Sequence, residues 1–235
     1  MRKRKIIITC EHGGNYIPRE FRYLFIKHEK ELNSHRGWDI GALEVAKYMS
    51  RHIPAPLSYQ RVSRLLVESN RSLHNEELFS QYSRELEKPI RKYILSKYYH
   101  PYRHAIEKNI NRCIAEGQLV LHLSVHSFTP VLNGVERQVD IGLLCDESRW
   151  SEMEFCQMWK RQIEQLLPQK LVMVNVPYNG ADDGFTTYLR NQFPADKYLG
   201  IEIEINQKYV GQEEMSIVRS ALSNSLIISE DLVEE

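Results

Sequence analysis

Short apolar runs alternate along this chain with segments in which apolar positions recur at helical spacing. The runs at 5–9 (KIIIT), 55–59 (APLSY), 64–68 (RLLVE), 119–125 (LVLHLSV), 139–144 (VDIGLL), 171–176 (LVMVNV) and 199–205 (LGIEIEI) predict strands. Helices are predicted over 39–52, with Asp39 as a candidate N-cap, and over 88–117, kinked or broken at Pro101 and ended by Gly117. Three more follow at 151–167, 184–193 and 212–227. Strands alternating with helices predict an α/β fold of three α/β/α layers around a central mixed sheet. No repeat, low-complexity tract or linker divides the chain, so residues 1–235 are expected to form one domain. The closing SEDLVEE reads as a solvated acidic end.

Two of the strands are polar on one face. Side chains alternate across a strand, so Leu121, Leu123 and Val125 face one way and His122, Ser124 and His126 the other. In the last strand Ile201, Ile203 and Ile205 oppose Glu202, Glu204 and Asn206. The flanking isoleucines predict an interior strand, where an unpaired carboxylate costs several kcal/mol. Glu202 and Glu204 therefore need a cation, a hydrogen-bond network or water, unless the strand lies at an edge.

The first strand also runs into an ionisable cluster, Cys10, Glu11 and His12, followed by Gly13 and Gly14. Strand carboxyl ends are where ligands bind in α/β proteins, and glycine lets backbone approach closely. Taken alone, His12 reads first as a hydrogen-bonded turn residue. Together, His12, His126 and Glu204 offer imidazole nitrogen and carboxylate oxygen, the donors zinc takes in catalytic sites.

Composition narrows the partners. Thirty-one basic residues balance 31 acidic ones, which disfavours a nucleic-acid or anionic-membrane binder. Cys10, Cys113, Cys145 and Cys156 are far apart without C-x-x-C spacing, so they read as reduced packing thiols of a cytoplasmic protein. MRKRK precedes an apolar run too short for a signal peptide, and no run approaches a membrane span.

Between the histidines, Arg64 and Arg71 flank the run 64–68, with Asn70 beside Arg71. A guanidinium fork there can take a carboxylate in bidentate fashion. The ordered set CEHGGNYIP, GWDIGA, SRLLVESNRS, YYHPYR, LSVHSFTP, NVPYNGADDG and YLGIEIEINQ covers nearly the whole chain. With these motifs the sequence resembles the N-formylglutamate amidohydrolases, zinc hydrolases distantly similar in fold to the metallocarboxypeptidases and aspartoacylases.

The resemblance implies a hydrolase-like, zinc-exopeptidase-like fold and hydrolysis of a small N-acylated amino acid, N-formyl-L-glutamate first. It implies one zinc ion on His12 and His126, and Glu204 as general base toward the attacking water. It also implies Arg71 with Asn70 at the substrate carboxylate, and Arg64 at the scissile carbonyl or the other carboxylate. The chain departs from the carboxypeptidase pattern in having Asn15 three residues after His12, where that pattern has glutamate. The carboxylate ligand then falls to Asp39 or Glu11; Asp39 is chosen, and Glu11 is expected to orient His12 from behind. Tyr102 is a candidate to line the pocket, His104 a helix residue, His122 a satisfied core histidine ahead of a support behind the metal ligands, and 175–184 a loop bordering the site whose aspartates read as turn formers. Two alternatives remain: a deacylase or amidase for another acyl-amino acid or short peptide, and a carboxylate-binding relative without catalysis.

Overall fold

The computed structural model describes residues 4–231; Met1–Lys3 of the basic start and Leu232–Glu235 of the acidic end lie outside the described residues. Its strands are β1 (Arg4–Cys10), β2 (Leu57–Tyr59), β3 (Leu119–Phe128), β4 (Val131–Leu132), β5 (Val135–Glu136), β6 (Ile141–Leu144), β7 (Val172–Val174) and β8 (Tyr198–Asn206). Its α-helices are α1 (Glu29–Leu32), α2 (Ala42–His52), α3 (Lys88–Ile94), α4 (His100–Ala115), α5 (Trp150–Leu166), α6 (Phe185–Gln192) and α7 (Glu213–Asp231).

Six strands form one sheet in the order β2-β1-β3-β8-β6-β7, while β4 and β5 make a separate hairpin. All pairings in the large sheet are parallel except β6 with β8, so the sheet is mixed as expected. Helices α2, α5 and α7 cover one face over Ile8, Leu123, Leu143 and Ile203. Helices α4 and α6 cover part of the other over Ile7, Val120 and Tyr198, completing the three layers.

β3 and β8 lie in the middle of the sheet and are buried along almost their whole length. Their register pairs Ser124 with Glu202 and His126 with Glu204, so the polar faces read from the sequence are one continuous row. At the amino end of that row His122 is closed off by Thr9 Oγ1 on Nε2 (2.8 Å) and Tyr198 hydroxyl on Nδ1 (2.7 Å). Burial pushes its pKa down to about 4, the behaviour of a satisfied core histidine. At the carboxyl end the row opens into a cleft.

Two expectations are corrected. Residues 64–68 are not a strand: the Leu66 and Val67 amides turn back to Ser63 O at 2.9 and 3.4 Å, while the Arg64 and Glu68 amides reach to two different segments, at Gly37 O (3.3 Å) and Leu78 O (2.9 Å). Their apolar side chains pack instead with Ile17, Phe21, Leu78 and Phe79 in a cluster beside the sheet, a burial that periodicity cannot tell from a strand. Asp39 is not a helix cap; Gly41, at φ 87°, stands there with no side-chain cap. The long helical segment stays continuous past Pro101 through a π-helical turn, Leu95–Tyr99, placed where proline would otherwise crowd the preceding turn.

Candidate metal centre

The turn after β1 carries His12. Its glycine pair lies so close to the 60–61 backbone that a Cβ on Gly13 would sit 3.0 Å from Gln60 O, and one on Gly14 2.9 Å from Arg61 O. The Asp39 amide then donates to His12 O (3.0 Å), bringing the segment before α2 against this turn. β3 supplies His126 from the neighbouring strand.

As a result three donor atoms meet. Asp39 Oδ2 lies 3.1 Å from His12 Nδ1 and 2.8 Å from His126 Nδ1, and the two Nδ1 atoms are 3.2 Å apart. Metal bonds of about 2.0–2.2 Å place tetrahedral ligand atoms about 3.3 Å apart, close to this triangle. His12, Asp39 and His126 are the group of buried potential metal ligands found among the described residues.

The remaining ring nitrogens explain why a cation suits the triangle. His12 Nε2 is bound to Glu68 Oε1, and His126 Nε2 lies 2.9 Å from Ser124 Oγ and 3.3 Å from Glu11 Oε2. With the ring protons held on Nε2 by these partners, both Nδ1 lone pairs would face Asp39 Oδ2. In that state the triangle offers three donor atoms to a cation.

Glu11 thus orients His126 rather than His12, while also accepting from Ser124 Oγ and from Tyr102 hydroxyl (2.9 Å). Tyr102, expected in the pocket, is instead behind the site on Glu11 and does not line the cleft. His104 stacks on His100 along α4, also away from it.

Glu68 holds His12 and was missed in the sequence. Its signal is the four-residue spacing from Arg64, whose Nε donates to Glu68 Oε2 at 2.7 Å. Arg64 Nη1 also donates to Asp39 Oδ1 (3.2 Å), so this guanidinium braces two of the site's carboxylates while its side chain stays 26% exposed to the cleft. Burial acts to raise the pKa of Glu11 and Glu68. The hydrogen bond and charge of His126 on Glu11, and the charge of Arg64 on Glu68, outweigh it and hold both well below the usual carboxylate range.

Glu204 differs. It is 6% exposed, and its Oε2 is buried with no hydrogen-bond partner. Burial, with Asp39 and Glu202 adding to it against His126 and Arg64, pushes its pKa up to about 8. Glu202, by contrast, accepts the Thr186 hydroxyl at 2.5 Å.

These groups wall a cleft of about 160 Å³ that also takes in Asn70, Arg71 and residues 178–179 and 182–184 of the loop after β7. Asn70 Oδ1 accepts the Phe185 amide (2.8 Å), and Arg71 Nη1 donates to Asp183 O (2.6 Å). The Asp183 carboxylate accepts from Ser72 N, Ser72 Oγ and Asn75 Nδ2, at 2.6 to 3.1 Å, and so locks the two cleft loops together rather than only shaping a turn.

Comparison with known proteins identifies the fold and the family. No curated protein matches the chain. A gene product of Agrobacterium tumefaciens has a crystal structure that superposes with a TM-score of 0.84 at 29% identity, over 100% of this chain and 93% of the other. The crystal structure of an N-formylglutamate amidohydrolase from Ralstonia eutropha shares the fold, with a TM-score of 0.69 at 15% identity, covering 100% of this chain and 96% of that one. The profile of the N-formylglutamate amidohydrolases matches residues 4–210, which is most of the described fold and every residue of the cleft. The chain belongs to the N-formylglutamate amidohydrolase family.

Proposed function

We propose that the chain hydrolyses a small N-acylated amino acid, N-formyl-L-glutamate first, to formate and glutamate, using one zinc ion held by His12, Asp39 and His126. The observation that carries this reading is the meeting of Nδ1, Nδ1 and Oδ2 within 3.2 Å beside the unpartnered Glu204 carboxylate. Bound there, zinc would acidify water toward a pKa of about 7 and polarise an amide carbonyl.

The chain's own residues do the rest. Glu204 takes a proton from the attacking water, the water oxygen bonds to the carbonyl carbon, the C–N bond breaks and Glu204 returns the proton to the departing amine. A carboxylate placed beside the three donor atoms and free of other partners suits both transfers. Arg64, fixed by Glu68 and Asp39, faces the cleft and stabilises the oxyanion as it forms. Arg71, with Asn70 beside it, holds a substrate carboxylate; its side chain is 28% exposed. The four cysteines, all buried free thiols, support a reducing compartment such as the cytoplasm.

The test pairs metal analysis of protein purified without chelator with formate or acyl release from N-formyl-L-glutamate, N-formyl-L-aspartate and N-acetyl-L-glutamate. One equivalent of zinc, and turnover lost to chelator and restored by zinc, is the expected result. Protein without bound metal that releases nothing from any member of the panel overturns the reading.

A further inference from the structure

N-formylglutamate carries two carboxylates, yet the cleft wall offers few cations for them. Arg64 is already occupied by Glu68 and Asp39, and the rest of the wall includes Asp182, Glu202 and Glu204. Arg71 can hold one carboxylate. A second must find its partner elsewhere, since an unpaired anion among these acids would be repelled.

Arg137, which no motif of the sequence singled out, is placed to be that partner. It follows the β4–β5 hairpin, its guanidinium lies 5.6 Å from the Phe128 ring centre and 5.0 Å from that of Tyr178, and its Nη1 donates to the Tyr178 hydroxyl at 2.8 Å. Phe128 pairs with Asn206 one pleat beyond the His126–Glu204 pair, on the same face of the sheet. The Arg137 carbonyl in turn accepts Asn206 Nδ2 (3.3 Å), anchoring the residue to the same strand ends. Tyr178 itself lines the cleft.

The chemistry fits a carboxylate. Among the described residues no carboxylate lies within ion-pair distance of Arg137, so its charge is uncommitted. Two aromatic rings hold the guanidinium plane and restrict its motion, which lowers the ordering cost of a bidentate contact. Because the Tyr178 oxygen accepts from Arg137, its own hydroxyl proton is free to donate to a ligand in the cleft. Burial and the charges of Arg36, Arg64 and Arg137 lower the pKa of His35, in keeping with a cationic rim on this side.

We propose that Arg137, with the Tyr178 hydroxyl, forms the second carboxylate subsite of the cleft and sets the preference for a dicarboxylate substrate. This rests on the amidohydrolase reading above. In Arg137→Ala, kcat/KM for N-formyl-L-glutamate is expected to fall about 10- to 100-fold, mainly through KM, the range for loss of a charged hydrogen-bonding group. With N-formyl-L-glutamine, which keeps the shape without the charge, it should stay within about twofold. Arg137→Lys, which keeps the charge on the hairpin, should recover part of the loss. Equal loss on both substrates, or no loss on either, overturns the subsite.

Calorimetry with glutarate and butyrate separates this proposal from the reading beneath it. If the unaltered protein hydrolyses neither formyl compound but binds glutarate more tightly than butyrate, and Arg137→Ala removes the difference, the hydrolase reading fails and the subsite stands. If glutarate shows no dependence on Arg137, the subsite is overturned whatever the turnover.

Discussion

At the residue scale the site is a set of imidazoles and carboxylates whose roles follow from which atom faces which. Glu204→Gln removes a base that touches none of the three candidate ligands by hydrogen bond, so the variant is expected to keep its metal and lose about 10²- to 10⁴-fold in kcat. His126→Ala is expected to lose both, and equal metal content in the two proteins contradicts the roles. Glu68→Gln weakens the hold on His12 Nε2, with zinc affinity expected to fall about 10- to 100-fold in a competition titration. His122 makes a separate prediction for stability. Its folded pKa is pushed down to about 4, below the 6.5 of the unfolded chain, so its contribution is fully present above pH 6.5 and is lost as pH falls through about 4. His122→Asn should flatten the fall in stability over that window, by on the order of 3 kcal/mol across it, as measured by urea unfolding at a series of pH values. That His122 is structural was legible in the sequence from its place inside an apolar strand. The part played by Glu68 was not, because a carboxylate four residues from an arginine reads first as an ordinary ion pair.

At the element scale, the strands that build the cleft were legible and the segment that closes it was not. β3 and β8 announce themselves by alternation, and that alternation alone places His126 and Glu204 on polar faces. Residues 64–68 are as apolar as a strand, but a turn suits them better because Arg64 and Glu68 then both reach the site from one short segment. The loop 177–184 depends on close contact: a Cβ on Gly180 would lie 2.3 Å from Cys145 N and 2.6 Å from Cys145 O. Arg190 Nη1 also donates to Gly180 O, at 2.5 Å. Gly180→Ala must therefore displace backbone, and a loss of about 1–3 kcal/mol with a raised KM is expected, since Asp183 and Gly184 of this loop border the cleft. Unchanged unfolding midpoint and KM would show that the loop can shift without consequence.

At the scale of the whole molecule, the proposed cation ties the turn after β1, the segment before α2 and the end of β3 into one point, although Asp39 lies 27 residues and His126 114 residues from His12 in the chain. Binding to the folded state only should make it a stabiliser. At a free zinc level about 1,000 times its dissociation constant the gain is about 4 kcal/mol, or roughly 8–16 °C in Tm for a domain of this size. Scanning calorimetry before and after chelation measures this directly, and coincident melts would mean that no cation links these segments.

The sequence by itself determined the layered architecture and the polar faces of the two strands that carry His126 and Glu204, because period and alternation are local properties of a chain. Only the tertiary structure decided between Asp39 and Glu11 as the carboxylate facing both Nδ1 atoms, sent Tyr102 behind the site and brought Glu68 and Arg137 toward the cleft. Those outcomes depend on distances between segments remote in the chain, which packing sets and no spacing along a sequence encodes.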